Sequence, residues 1–144
     1  MEYVDKDGVK KNPYIIHRTS IGCYERTLAL LIEKYAGAFP MWLAPVQVKL
    51  LPIADRHLNY VYEVKKALEA KGMRVEIDDR SEKIGYKIRE AQLEKVPYMI
   101  LVGDKDIENN TVSVRDRREG DIGAMSLEDF IAKAVEEIES KVIR

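Results

Sequence analysis

The chain has 144 residues, of which 46% are hydrophobic and 34% are charged, and its formal net charge is −1. This length allows one well-buried core, and this composition argues against a disordered, fibrous or membrane-spanning protein. A net charge near zero also argues against a protein that coats DNA or other nucleic acid non-specifically. Because the chain has one cysteine, Cys23, and no apolar segment after Met1, we expect no disulfide, no signal peptide and a cytoplasmic location.

The N-terminal part of the chain predicts a turn, a strand and a helix. Asp5-Lys6-Asp7-Gly8 is a turn signal, and Tyr14-Ile15-Ile16 is a short apolar run that predicts a strand. From Tyr24 to Tyr35 apolar residues recur at helical spacing, which predicts an amphipathic helix. Gly37 is typical of the residue that follows a helix.

Strands and helices alternate in the rest of the chain. Pro40 and Pro45 predict an extended connector, and we place the boundary between two structural units there, at residues 37–45. The sequence then predicts strands at 46–53, 73–77, 98–102 and 111–115, and helices whose apolar faces begin at Leu58, Ile84 and Leu127.

Two details of this pattern predict how the strands are arranged in the sheet. Residues 98–102 form a continuous apolar run, which predicts a central strand buried on both faces. Asn109-Asn110 is a tight-turn signal and predicts a hairpin between strands 98–102 and 111–115. The order β-α-β-α-β-β-α therefore predicts an α/β fold, with a mixed, mostly parallel open sheet flanked by helices.

Residues 13–45 resemble motif 3 of the class II aminoacyl-tRNA synthetases and the junction that follows it. The resemblance lies in His-Arg-x-x-x-Gly-x-x-Glu-Arg at 17–26 and Phe-Pro-x-Trp-Leu-Ala-Pro-Val-Gln at 39–47, and it is greatest for the threonyl family. Residues 46–144 are similar to the anticodon-binding domain of the threonyl, prolyl, histidyl and glycyl enzymes. The segments that carry this similarity are 82–90, 96–99, 102–105 and 114–118.

This resemblance implies that the chain is the C-terminal piece of a longer enzyme. Residues 1–36 would be the end of its catalytic domain, 37–45 a linker and 46–144 the anticodon-binding domain. The longer enzyme would be a homodimer that uses ATP, magnesium and zinc to activate threonine and charge threonine tRNA. For this chain alone the resemblance implies binding to the anticodon loop of threonine tRNA, without a cofactor and without aminoacylation.

Charged residues near the strand at 111–115 are the first candidate site. A carboxylate can accept both hydrogen-bond donors on the Watson–Crick edge of guanine, and arginine can donate to guanine O6 or uracil O4. By the resemblance, Asp106 and Arg115 contact the middle guanine and the final uracil of the anticodon, with Arg117 and Arg118 beside them. Asp106 stands where the family usually has glutamate, and a bridging water would make up the reach. The alternative is a charged hairpin whose side chains are solvated.

A second candidate group lies around the helix that begins at Ile84. Ser81, Lys83, Lys87 and Arg89 could hold the phosphates of the anticodon loop, where contacts add affinity but read no sequence. Glutamates interleave with these cations. The alternative is therefore an ordinary helix surface with ion pairs between neighbouring turns.

Two residues of the N-terminal segment correspond to catalytic-domain residues of the family. By the resemblance, Arg26 matches the motif 3 arginine that contacts ATP, and His17 matches one of three zinc ligands. Within this chain alone, the alternatives are a surface Glu-Arg pair and a histidine without a metal. Cys23 stands where the family has a small polar residue or glycine, and we expect it to be a buried packing residue.

Two other functions compete with anticodon binding. The chain could be a stand-alone accessory or protein-interaction module that keeps the synthetase-like fold. An exposed apolar face on Tyr24, Leu28 and Leu31 would count against this, because the helix would then lack a partner. The second is a small enzyme that uses Asp78 and Asp79 as an acid–base or magnesium pair, although a charged strand-to-helix turn is the preferred interpretation of these two residues.

Overall fold

Residues 1–143 are described by the computed structural model, which divides into two compact units, 1–30 and the residues from Leu31 onward. The connector predicted at 37–45 lies inside the second unit. No helix among these residues has the length and apolar character that crossing a membrane requires. The strands are β1 Tyr3–Val4, β2 Lys10–Lys11, β3 Val48–Pro52, β4 Val75–Ile77, β5 Tyr98–Val102, β6 Thr111–Asp116 and β7 Gly120–Ser126. The helices are α1 Tyr24–Tyr35, α2 Leu58–Glu69, α3 Ile84–Leu93, α4 Asp104–Asn109 and α5 Leu127–Glu139.

The N-terminal unit holds a short hairpin where the sequence predicts a turn. β1 pairs antiparallel with β2, and the N–H of Gly8 donates to the carbonyl of Asp5 over 2.9 Å, with Gly8 at a φ of 78° that favours glycine. The strand predicted at 14–16 is wrong. This segment has no regular structure, and each of its side chains is at least 79% exposed. A strand needs a hydrogen-bonded neighbour, and none among the residues described pairs with it.

Helix α1 forms where the sequence predicts it, but none of its residues is buried. Tyr24 is 76% exposed and Leu28 is 54% exposed. Cys23, expected to be buried, is exposed, and its Sγ lies 2.7 Å from a carboxylate oxygen of Glu25. The apolar periodicity of this segment therefore predicts the helix correctly without predicting burial.

A five-stranded sheet in the order β4-β3-β5-β6-β7 is the centre of the second unit. β4, β3 and β5 run parallel, whereas β6 is antiparallel to both β5 and β7. This confirms the predicted α/β class and the mixed, mostly parallel sheet.

The central strand β5 is apolar throughout because helices cover both faces of it. Tyr98, Ile100 and Val102 join the larger core cluster with side chains from α2 and α5, including Phe130, whose ring meets that of Tyr98 edge-on at 5.5 Å. Met99 faces the other way and packs with α3 in a smaller cluster. Alternate side chains of one strand thus fill two cores.

Between β5 and β6 the prediction of a tight turn is wrong. β6 does pair with β5, but the chain between them forms α4, and Asn110 ends that helix in the left-handed conformation, with φ of 55°. The hairpin is formed instead by β6 and β7. The strand β7 was not predicted, because Gly120 and Gly123 interrupt the alternation that marks strands.

Candidate nucleic-acid interface

One face of the β6–β7 hairpin carries polar side chains that remain accessible. Along β6 the residues alternate, so that Val112, Val114 and Asp116 are buried while Thr111, Ser113 and Arg115 are half-buried on the opposite side. The register places Ala124 beside Ser113 and Asp121 beside Arg115. We call this surface the open sheet face, and it consists of Thr111, Ser113, Arg115, Asp121 and Ala124.

Asp106 is fixed at the border of the open sheet face. Its Oδ2 accepts a hydrogen bond from the N–H of Gly103 at 2.9 Å, and its Oδ1 accepts one from the hydroxyl of Ser113 at 2.7 Å. The side chain is only 7% exposed, yet it lines a hollow of about 510 Å³. Because each carboxylate oxygen has a second lone pair, Asp106 still presents acceptors whose orientation is fixed by two neighbours.

Arg115 keeps its hydrogen-bond donors free. Its nearest acidic neighbour is Asp121, with 3.6 Å between Nη1 and Oδ2, which is too long for a hydrogen bond. Its Nε–H is buried without an acceptor among residues 1–143. The guanidinium is therefore attracted by charge to one side of the open sheet face, and its terminal Nη donors make no hydrogen bond within the described residues.

Arg117 lies only two residues after Arg115, but its guanidinium donates hydrogen bonds within the chain. Its Nη1 donates to the carbonyls of Phe39 at 3.0 Å and Lys95 at 2.7 Å, and its Nη2 donates to the carbonyl of Ala38 at 3.3 Å. Burial lowers the pKa of this guanidinium below its usual value, and repulsion from Arg118 acts in the same direction. The side chain of Arg118 is exposed in the turn. The structure thus commits Arg117 to the connector and leaves Arg118 at the surface.

The connector is compact rather than extended as predicted. The N–H groups of Leu43 and Ala44 both donate to the carbonyl of Pro40 at 3.0 Å, which closes a turn. The side chain of Arg74 donates to the carbonyls of Ala44 at 2.8 Å and Trp42 at 3.1 Å. A segment that contains proline has fewer backbone N–H groups to pair with its own carbonyls. Side-chain donors from distant parts of the chain bind these carbonyls instead.

A second hollow, of about 380 Å³, lies at the start of α3 and is lined by three of the four residues predicted to hold phosphates, Ser81, Lys83 and Lys87. Lys87 is 4% exposed, and its Nζ donates to the carbonyls of Asp78 at 3.0 Å and Pro52 at 3.4 Å. Arg89 is exposed on α3 and does not line this hollow.

Asp78 and Asp79 do not act together. The guanidinium of Arg80 clamps Asp78, with 2.8 Å from Nε to Oδ1 and 2.6 Å from Nη2 to Oδ2, whereas Asp79 is exposed. The hydrogen bonds from Arg80 lower the pKa of Asp78 below its ordinary value. This geometry favours the charged-turn interpretation over an acid–base pair.

Asp78→Asn is expected to flatten the dependence of stability on acid pH. Because the folded state lowers the pKa of Asp78, its contribution is complete above the unfolded value of about 3.9 and is lost as the pH falls through the lower folded value. Urea unfolding between pH 7 and pH 3 should show a smaller loss in Asp78→Asn than in the unsubstituted chain. Asp79→Asn is the matched control, and equal pH dependence in both variants would contradict the prediction.

His57 is a buried residue whose role the sequence does not reveal. It is 1% exposed, its Nδ1 accepts from the N–H of Ala54 at 3.1 Å, and its Nε2 lies 3.0 Å from Oδ1 of Asp104. Arg56 donates to the same carboxylate, and these contacts hold the pKa of Asp104 well below its usual range. The cluster ties the start of α2 to the start of α4. His57 and Asp104 are 47 residues apart in the chain, so no local motif marks the cluster.

His17 and Arg26 are both exposed in the N-terminal segment. No three His, Cys, Asp or Glu side chains converge on a metal-sized site within the described part of the chain. The zinc-ligand role predicted for His17 and the ATP contact predicted for Arg26 remain predictions.

Comparison with known proteins gives three concordant results. The model of the anticodon binding domain matches residues 47–137. A threonine–tRNA ligase of Clostridium perfringens is 61% identical over 141 residues, and that of Clostridioides difficile is 58% identical over 139 residues. These alignments cover 98% and 96% of this chain, which spans 22% of the length of each of those relatives. The RNA binding domain of the threonyl-tRNA synthetase of Cryptosporidium parvum superposes with a TM-score of 0.74 and 30% identity, over 78% of this chain and 28% of that one.

Proposed function

The chain belongs to the anticodon binding domain family, and on this premise we propose that its open sheet face reads the anticodon of threonine tRNA. The observation that carries the proposal is the contrast between Arg115 and Arg117. Arg115 lies on β6 and Arg117 lies just after its end; both are half-buried, and only Arg115 keeps its donors free of internal acceptors. A buried or half-buried donor without a partner is costly unless a ligand supplies one.

Base recognition would use a fixed acceptor and a free donor. Asp106 offers carboxylate oxygens held by Gly103 and Ser113, which suit the N1–H and the N2 amine of guanine. Arg115 lies two residues beyond Ser113 on the same face and would donate to O6 of guanine or O4 of uracil. We assign the middle guanine and the final uracil of the anticodon to this pair, in agreement with the resemblance noted above.

The phosphates flanking these bases would lie nearer to α3. Ser81 and Lys83 are exposed at the hollow that begins this helix, and Lys87 places its positive charge at the same hollow. Because the chain has a net charge of −1, attraction of RNA must come from such local groups rather than from an overall basic surface.

We also propose that the chain acts within a longer threonine–tRNA ligase. Its relatives are threonine–tRNA ligases of which it spans 22%, and residues 1–36 resemble the end of their catalytic domain. ATP contact by Arg26, zinc binding by His17 with ligands from elsewhere, magnesium use, homodimerisation and a cytoplasmic location belong to that proposal. The exposed apolar side chains of α1 count against a stand-alone accessory module.

The decisive test is binding of this chain to threonine tRNA over a salt series, beside a transcript altered only at the middle anticodon base. We expect the altered transcript to bind more weakly by about 1–3 kcal/mol, the usual cost of one good base contact. Both transcripts should show the same salt dependence, because the phosphate contacts are shared. Equal affinity for the two transcripts would contradict anticodon reading and leave only attraction to the RNA backbone.

A further inference from the structure

One apolar side chain separates the two polar hollows described above. Ile53 lines both the hollow of Ser81, Lys83 and Lys87 and the hollow of Asp106. It follows directly after β3 and is 50% exposed. An exposed isoleucine is ordinary by itself, but here it forms the wall between two hollows that each contain charged residues, Lys83 in one and Asp106 in the other.

Ile53 is restrained by contacts with Val102 and Gly103. Its N–H donates to the carbonyl of Val102 at 3.0 Å, which fastens its backbone to β5. Gly103 lies against its side chain so closely that a β-carbon at position 103 would be 2.9 Å from Cδ1 of Ile53. A β-branched side chain is also stiff about χ1. The backbone and the χ1 torsion of this wall are therefore restrained, and Cδ1 occupies space that a side chain at position 103 would also need.

We infer that Ile53 is a wedge that separates two consecutive nucleotides of the bound anticodon loop. The inference rests on the proposed function and adds a specific contact to it. The middle guanine of the anticodon enters the hollow of Asp106, and the first anticodon nucleotide lies over the hollow of Lys83. The side chain of Ile53 packs between these two nucleotides. Both hollows fall within the roughly 300–1,000 Å³ typical of small-molecule sites. Single-stranded RNA is read with its bases splayed apart, and apolar wedges between bases are a known means of unstacking them.

The wedge can be tested with a threonine tRNA anticodon stem-loop that carries 2-aminopurine at the first anticodon position. The fluorescence of 2-aminopurine rises when the base loses its stacking neighbour. Binding of the unsubstituted chain should therefore raise the fluorescence, and Ile53→Ala should weaken binding roughly fivefold and remove most of the rise. The salt dependence of binding should stay unchanged, because no phosphate contact is lost.

Two further variants separate the wedge from a general structural role. Gly103→Ala keeps the isoleucine but displaces it, and it should reduce the fluorescence rise as Ile53→Ala does. Leu93→Ala removes an apolar side chain that is 72% exposed and lines neither hollow, and it should bind and fluoresce like the unsubstituted chain. Binding with no fluorescence rise, or an unaltered rise in Ile53→Ala, would overturn the inference alone. A failure of the unsubstituted chain to bind the stem-loop would overturn the proposed function and the wedge with it.

Discussion

Arg117→Ala is expected to lower the free energy of unfolding by about 3 kcal/mol. The guanidinium donates three hydrogen bonds to backbone carbonyls, two in the connector and one at Lys95. Hydrogen bonds from charged donors contribute about 1.5–3 kcal/mol, and buried acceptors left without a partner add a cost of similar size. Because these contributions are not additive, the expected loss corresponds to about one such bond and its unsatisfied acceptor rather than to three of each. Urea unfolding followed by circular dichroism measures the difference.

The neighbouring residue provides the matched control. Arg118→Ala removes the same charge from an exposed side chain one position later, and we expect it to change the free energy of unfolding by less than about 0.5 kcal/mol. Equal effects of the two substitutions would show that loss of charge, and not the anchoring of the connector, explains the result.

The loss of stability should begin in the connector. Trp42 is the only tryptophan of the chain, and its carbonyl accepts a hydrogen bond from Arg74 within the same segment. In Arg117→Ala, acrylamide should quench Trp42 more strongly than in the unsubstituted chain, even without urea. If quenching stayed the same while the unfolding midpoint fell, Arg117 would stabilise the sheet as a whole rather than the connector.

The elements that could be predicted from sequence are those in which the burial of side chains produces a regular pattern of apolar residues. Tyr98–Val102 is apolar at every position because helices cover both its faces, and this pattern predicts a central strand without further information. β7 fails the same test, since Gly120 and Gly123 leave too few side chains to show an alternation. α4 was not predicted, because its six residues are too few to show a helical period and Asn109-Asn110 indicates a turn.

The candidate site shows a different limit of sequence analysis. Arg115, Arg117 and Arg118 belong to one short segment of similar charge, and nothing in the sequence distinguishes a residue that binds a ligand from one that holds the chain. The distinction depends on carbonyls about 80 residues away, such as that of Ala38, 79 residues from Arg117. Lys87 is similar, because this candidate phosphate ligand is buried and donates to the carbonyls of Asp78 and Pro52, which its position on a charged helix does not reveal. Residue type predicts what a side chain can do, whereas three-dimensional contacts decide whether it is free to do it.

Arg115→Ala is expected to remove most of the preference for the correct anticodon base, about 1–3 kcal/mol or roughly 5- to 150-fold in relative affinity. Arg115 is a better probe than Asp106, whose carboxylate also accepts hydrogen bonds from Gly103 and Ser113. Substitution of Asp106 would therefore disturb α4 as well as any base contact. Arg115 makes no hydrogen bond in the described chain, and its ion pair with the exposed Asp121 contributes at most about 1 kcal/mol. The variant should fold with near-normal stability, so a loss of discrimination can be assigned to recognition.

Arg115→Lys separates the charge from the geometry of the guanidinium. Lysine keeps the positive charge but presents it as a compact ammonium without the planar fork that matches a base edge. We therefore expect Arg115→Lys to bind matched and altered transcripts with the salt dependence of the unsubstituted chain, yet with discrimination as poor as that of Arg115→Ala. If Arg115→Lys discriminated normally, a point charge would be sufficient and the base would be read elsewhere, with Arg115 contributing only attraction to the RNA. If Arg115→Ala itself kept the preference, the free donors of this residue would have no part in anticodon reading, and Asp106 would be the remaining reader on the open sheet face.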